Sequence, residues 1–278
     1  MKRIVTIQDI SCVGKCSLTV ALPIISAAGV ETAVVPTAVL STHTAFEGFT
    51  FRDLTEDIHS ISEHWKAQKI GFDAIYTGYL GSFEQLQLVS DFFYDYKTDE
   101  NVILIDPVMA DNGALYTGFT VDFAHSMAKL CAKADVIVPN LTEACFMLDE
   151  KYIAEGYTRE YIENILKKLA ALGPKFAVLT GVSFEEGRLG VMAYNKEKDE
   201  FFEYYNEHLP VKFHGTGDVF ASSFLGALMN DMCVEDALKV AVDYTLESIR
   251  VTLEDENHNW YGVNFETAIP EYLKLLNK

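Results

Sequence analysis

The 278-residue sequence is poor in basic side chains and has no apolar run long enough to span a bilayer. Lysine and arginine total 22 against 41 aspartates and glutamates, a formal net charge of −19. Such a field repels phosphate backbones and disfavours general nucleic-acid binding. An anionic ligand therefore has to be held locally, by backbone N–H groups and a metal ion. Cysteine is scarce too. Cys12, Cys16, Cys131, Cys145 and Cys233 are odd in number and scattered, which suits reduced thiols in a cytoplasm rather than a disulfide framework. Cys12 and Cys16 lack the second Cys/His pair that zinc needs. Met1–Asp9 carries charge but neither the long apolar core nor the small-residue cleavage site of a signal peptide. No linker, repeat or low-complexity tract interrupts the chain, so a single domain over 1–278 is expected.

What is present is alternation. β-branched runs at Arg3–Ile7, Thr32–Pro36, Ala74–Thr77, Val102–Ile105, Val136–Val138 and Phe176–Leu179 predict strands. Between them, helical periodicity marks Ser17–Ala28, Leu54–Gln68, Phe83–Tyr96, Phe123–Cys131 and Arg159–Leu172. Thr158 is placed to start a helix, and Gly29 and Gly173-Pro174 to end two others. This rhythm predicts βαβ units and a three-layer α/β/α fold with a mostly parallel central sheet. Leu189–Tyr194 and Glu200–Tyr205 then read as a late β-hairpin, followed by helices at Val219–Asn230, Val234–Arg250 and Ala268–Leu276.

In open parallel sheets ligands bind beyond the carboxyl ends of the strands. Four strands run into polar or glycine-rich residues there: Asp106-Pro107, Pro139-Asn140, Gly78-Tyr79 and Thr180-Gly181. The sharpest feature lies later, at Phe213-His214-Gly215-Thr216-Gly217-Asp218. Glycines around a small polar residue, entering a long helix, aim successive N–H groups at one spot and make an anion site. Asp218 falls on the first turn of that helix. A capping aspartate needs no such glycines beside it. A P-loop is excluded, because Cys16 follows Gly14-Lys15 where Ser or Thr is required and Asp9 replaces the first glycine. The protein-kinase signature and the dinucleotide fingerprint are also missing.

Gly215-Thr216-Gly217-Asp218 resembles the catalytic signature of the ribokinase-like superfamily, and Asn140-Leu141-Thr142-Glu143 its Asn-x-x-Glu motif. With Asp106-Pro107-Val108-Met109, Ile7-Gln8, Ser41-Thr42-His43-Thr44 and Thr77-Gly78-Tyr79-Leu80-Gly81-Ser82, the chain is similar to the pyridoxal/pyridoxamine kinase family over nearly its whole length. The resemblance implies ATP-dependent phosphorylation of the 5′-hydroxymethyl group of a B6 vitamer. It implies Asp218 as base and Gly215, Thr216 and Gly217 as the anion hole. Asp9, His43, Thr44 and Tyr79 would meet the substrate. Asp106, Tyr116, Asn140, Thr180 and Thr216 would meet ATP, and Asp111 and Glu143 would lie near Mg²⁺. It also implies a homodimer and allows a monovalent cation such as K⁺. The family has Ser then His where Asp9 and Ile10 stand. An ionised Asp9 would favour a cationic vitamer; alternatively it caps the next turn and never meets the ring. Two other readings remain: a hydroxymethylpyrimidine kinase of thiamine synthesis, whose branch often has Cys in place of Asp218, and a non-catalytic vitamin- or nucleotide-binding regulator.

Overall fold

Strands and helices alternate as expected in the computed structural model, which describes residues 1–278. Nine strands make up a mostly parallel sheet, and two short strands form a separate antiparallel pair. Contacts divide the chain into two compact units, Met1–Ala74 with Asn206–Lys278, and Ile75–Tyr205.

In the first unit β1 (Arg3–Ser11) and β2 (Glu31–Leu40) run parallel, and β3 (Phe51–Asp53) pairs antiparallel with β2. β1 is buried almost throughout, as a strand covered on both faces has to be. Its register with β2 is broken between Gln8 and Ile10, so Asp9 sits at a bulge, where a strand can re-aim a side chain. Helices α1 (Leu18–Ala27) and α2 (Thr55–Ala67) belong to this unit, with α7 (Thr216–Leu228), α8 (Val234–Glu254) and α9 (Phe265–Leu275). Their packing is close enough to need glycine at position 226, where a Cβ would lie 2.1 Å from the Tyr272 hydroxyl.

The second unit holds β4 (Ala74–Thr77, beginning on the last residue of the first unit), β5 (Val102–Ile105), β8 (Val136–Ile137) and β9 (Phe176–Val182). β5, β8 and β9 are parallel neighbours, and β10 (Arg188–Asn195) returns antiparallel to β9 and leads to β11 (Glu200–Glu207). Around them lie α3 (Phe83–Tyr96), α4 (Val121–Cys131), α5 (Leu141–Leu148) and α6 (Arg159–Leu172). α6 shows why these segments fold as they do. The Thr158 hydroxyl accepts from the Tyr161 N–H at 3.2 Å, Ile162, Ile165, Leu166 and Leu169 fall on one buried face, and Gly173 ends the helix.

Four elements escape the sequence reading: β3, the two-residue strands β6 (Ala110–Asp111) and β7 (Ala114–Leu115), and α5. They are too short to show a period. Several boundaries also shift: β1 and β2 each run on four residues further, to Ser11 and Leu40, α8 continues to Glu254, and two other shifts bear on the residues singled out above. β9 runs on through Thr180 and Gly181, because it stays paired with β10, so these residues lie in the strand rather than beyond it. α7 starts at Thr216, three residues before Val219, which brings the Thr216-Gly217-Asp218 run inside the helix.

Candidate active site

In the first unit the site is built on the N-terminus of α7. Gly215 caps this helix with φ +77°, a left-handed conformation that glycine adopts without strain. A Cβ there would lie 2.0 Å from the carbonyl oxygen of Lys15, so the glycine turn is pressed against the Gly14–Ser17 turn. Asp218 is the third residue of the helix and is half-buried. Burial pushes its carboxyl up to about 7, the charge of Asp9 adds to the rise, and the N–H of Ser17 holds it down. A helix N-terminus with a proton acceptor of this strength can bind an anion and take up a proton beside it.

Asp9 is 4 % exposed and accepts a 2.9 Å hydrogen bond from the Ser11 hydroxyl. Burial raises its carboxyl, opposed by hydrogen bonds from Ser17 and Ser11. Its carboxylate is thus engaged within the end of its own strand. The neighbouring Cys16 thiol is pushed up to about 12 by burial and the charges of Asp218 and Asp9, so it stays neutral.

His43 is buried, with both ring nitrogens occupied. Nδ1 accepts from the Ala45 N–H at 3.2 Å, which leaves Nε2–H to donate to the Tyr261 carbonyl at 3.1 Å. Its ring packs 4.7 Å from that of His214, and Phe46 and Trp260 complete the cluster. A Cβ on Gly14 would meet the His43 ring at 2.4 Å. His43 therefore forms part of the wall, and Thr44 beside it is exposed.

The second unit carries a different arrangement. Asn140 caps α5, and a capping box joins it to Glu143. The Asn140 Oδ1 accepts the Glu143 N–H at 2.9 Å, and Glu143 Oε2 accepts the Asn140 N–H at 2.9 Å. Glu143 Oε1 accepts the Met109 N–H at 3.0 Å, and Asn140 Nδ2 donates to the Ala110 carbonyl at 2.8 Å. Burial and the nearby Asp111 raise the Glu143 carboxyl, while the N–H groups of Asn140, Met109 and Ala110 hold it down. Val108 reaches this arrangement with φ +38°, a strained value for a β-branched residue. The segment Asp106–Asp111 is thereby tied to the start of α5.

Thr180 is bridged to Asn140 by backbone pairing, and Tyr116 donates its N–H to the Met109 carbonyl at 2.9 Å. Asp106 is buried at the end of β5, and Tyr79, half-buried after β4, packs its ring at a tilt against that of Phe119. The second unit thus gathers Asp106, Asp111, Asn140, Glu143, Thr180 and Tyr116.

No group of three or more His, Cys, Asp or Glu side chains is arranged to ligate a metal ion directly. Both Glu143 oxygens accept backbone N–H groups, whereas Asp111 is exposed and hydrogen-bonded only by its neighbour Asn112. This donor set fits magnesium, which keeps several waters and takes one or two carboxylates plus phosphate oxygens.

A helix-borne Asp beside a glycine turn and an Asn-capped, Glu-locked helix in one α/β chain narrow the family. Residues 22–262 match the phosphomethylpyrimidine kinase family. The chain belongs to that family. Among solved structures, a phosphomethylpyrimidine-kinase-like protein of Bacteroides thetaiotaomicron, crystallised with pyridoxal, is 41% identical with a TM-score of 0.92, over 98% of this chain and 95% of that one. The pyridoxal kinase of Lactobacillus plantarum is 28% identical with a TM-score of 0.90, over 99% and 98% of the two chains. A pyridoxal kinase homologue of Schizosaccharomyces pombe is 28% identical over 211 residues, and this family member spans 60% of its length. No helix is long and apolar enough to cross a membrane. Ser17, whose N–H and hydroxyl lower the Asp218 and Asp9 carboxyls, was not singled out by the sequence. The only signal was its place just after the unusual Gly14-Lys15-Cys16 turn.

Proposed function

We propose that this protein transfers the γ-phosphoryl group of ATP to the 5′-hydroxymethyl oxygen of pyridoxal, pyridoxamine or pyridoxine, acting as one kinase domain. The observation that carries this reading is Asp218, a carboxylate poised near neutrality on the first turn of a helix that opens from a glycine turn. As the vitamer oxygen attacks, its proton passes to Asp218. The new O–P bond forms while the bond to the β-phosphate oxygen breaks, and ADP leaves. The N–H groups of Gly215–Asp218 face the charge gathering on the transferred group. Such a transition state is loose, so positioning and charge stabilisation matter more than a strong base.

Asn140, Thr180, Tyr116 and Asp106 are the nucleotide-side residues in this proposal, and Thr44 and Tyr79 the vitamer-side ones. Asp111, and Glu143 through water, would hold Mg²⁺, which supplies positive charge to the phosphates. A homodimer, a cytoplasmic location and a K⁺ requirement are part of the proposal. Support for the vitamer class comes from the pyridoxal bound by the Bacteroides relative and from the Lactobacillus pyridoxal kinase.

The family's own description, phosphomethylpyrimidine kinase, keeps a methylpyrimidine as a second substrate reading, here hydroxymethylpyrimidine. A coupled ADP-release assay across pyridoxal, pyridoxamine, pyridoxine and hydroxymethylpyrimidine decides between them. Turnover confined to the pyrimidine would overturn the B6 reading, and no turnover on any would favour a binding protein.

A further inference from the structure

β9 changes character at Thr180. This residue pairs with Val191 of β10, and its N–H donates to the Pro139 carbonyl at 3.1 Å, which ties it to the approach to α5. The ladder then skips a residue. Val182 pairs with Gly190, so Gly181 is bulged out of register, with φ +70°. Bulges re-aim a strand and are over-represented beside active sites. A Cβ on Gly181 would meet no atom within 4 Å, so the bulge borders open space. Glycine leaves the backbone bare towards that space, the condition for close approach by a ligand.

Past Val182 the ladder ends, and the next N–H finds a side chain instead. The Tyr157 hydroxyl accepts the Ser183 N–H at 2.8 Å. Tyr157 stands immediately before Thr158, the cap of α6, so its phenol is delivered from the fixed start of that helix. Burial raises this hydroxyl further above its ordinary value, and it remains a neutral phenol. From Ser183 the chain closes a turn, with the Ser183 hydroxyl and the Arg188 N–H both donating to the Glu185 carbonyl, at 3.1 and 3.2 Å. Phe184 secures the turn from its side. Its ring meets that of Tyr157 edge-on at 5.9 Å and that of Tyr205 at 6.0 Å, and the Arg159 guanidinium lies 4.8 Å over it. Arg159 also grips Glu203 of β11 through both terminal nitrogens, at 2.5 and 3.1 Å.

We propose that Tyr157 is a positioning residue for the nucleotide: its hydroxyl holds Ser183 and so fixes the Thr180–Gly181 bulge in the direction that meets ATP. This rests on the reading of Thr180 and Asn140 as nucleotide-side residues. The bulge is pinned at its two ends by different means. The Pro139 carbonyl holds Thr180, and the phenol holds Ser183. Between them Gly181 has neither a ladder partner nor a side chain to keep its place. Releasing the Ser183 end therefore loosens the backbone that faces the ligand while leaving the rest of β9 paired.

Titration calorimetry with Mg²⁺ and a non-hydrolysable ATP analogue, beside steady-state kinetics, reads this role. Tyr157→Phe keeps the ring against Phe184 and removes one neutral hydrogen bond, so the Kd for the analogue should rise about threefold to tenfold. The KM for vitamer, and kcat at saturating ATP, should hardly move. Tyr194→Phe is the control, because it removes a phenol bond of the same 2.8 Å length, to Asp199, at the opposite end of β10. It should leave the Kd for the analogue unchanged. Wild-type affinity in Tyr157→Phe, or an equal loss in Tyr194→Phe, would overturn the proposal. Thr180→Val in the same titration separates the premise. If it binds the analogue like wild type, the nucleotide-side reading fails and the role of Tyr157 with it. If it binds weakly while Tyr157→Phe matches wild type, only the role of Tyr157 fails.

Discussion

Glu143 and Asp218 occupy the same position, the third residue of a helix, in the two units, and a single difference one turn earlier gives them different work. The cap of α5 is Asn140, whose side chain and N–H close a reciprocal box with Glu143. The cap of α7 is Gly215, which has no side chain to reciprocate. Glu143 therefore accepts the N–H groups of Asn140 and Met109, one on each oxygen, whereas the Asp218 carboxyl is lowered only by the Ser17 N–H. Each unit also holds positive-φ residues in the segment nearby, Val108 in one and Lys15 and Ser17 in the other. A carboxylate with a backbone N–H on each oxygen organises backbone. Asp218, without that reciprocal lock, keeps its oxygens available to a ligand at the helix N-terminus. In these two helices the residue type at the cap, more than the acid itself, separates scaffold from reagent.

The comparison breaks most visibly at Asp218. Asp218→Asn should fold and bind ATP while kcat falls by about 10²–10⁴, the usual share of a positioned base. Wild-type turnover should decline below about pH 7 as Asp218 takes up its proton. The same substitution has a second consequence of opposite sign. A carboxyl raised in the folded state contributes stability that is full below its ordinary value of 3.8 and is lost as pH rises through about 7. Asn carries no such loss, so Asp218→Asn should melt higher than wild type at pH 8, with the gap closing towards pH 4. Differential scanning fluorimetry at the two pH values reads this directly.

Next in size is Gly215→Ala. Its Cβ would strike the Lys15 carbonyl, and φ +77° is unfavourable for alanine, so the glycine turn must move. We expect kcat to fall by about 10², as when an anion-hole donor is removed. An unaffected rate would show that the turn does not contact the transferred group.

Glu143→Gln should act on scaffold instead. Its amide cannot accept at both ends, so one buried N–H loses its partner at about 1–3 kcal/mol. Urea denaturation should show that loss, and the Mg²⁺ concentration for half-maximal activity should rise while the KM for vitamer stays constant. The smallest effect belongs to Thr158→Ala, a cap whose third helical residue, Tyr161, is not an acid. It should cost about 1 kcal/mol in stability and leave kcat unchanged.

Much of this was legible before the structure. α3, α6, β4 and β5 have the bounds their periodicity implies, because long amphipathic helices and short apolar strands between breakers leave little room for alternatives. The glycine turn leading into a helix was legible from the Gly215-Thr216-Gly217-Asp218 run, and α7 starts there. α5 was hidden by its eight residues, although Asn140 and Glu143 have the spacing of a capping box and could have announced it. The partners of Asp9 were not legible. They depend on a bulge in β1 and on a left-handed Ser17, and neither follows from residue type, since serine ordinarily avoids that conformation.

The ring cluster beside the glycine turn has an optical consequence. The chain has two tryptophans, Trp65 and Trp260. Trp65 sits against Phe72, whereas Trp260 is 56 % exposed and its ring lies 6.2 Å from that of His214, the residue preceding Gly215. An indole at that distance senses both the charge of the imidazole and any displacement of it. With Trp65→Phe as background, emission from Trp260 becomes a single-site record of the glycine turn. Ligand arrival could then be timed at the turn itself, separately from product formation.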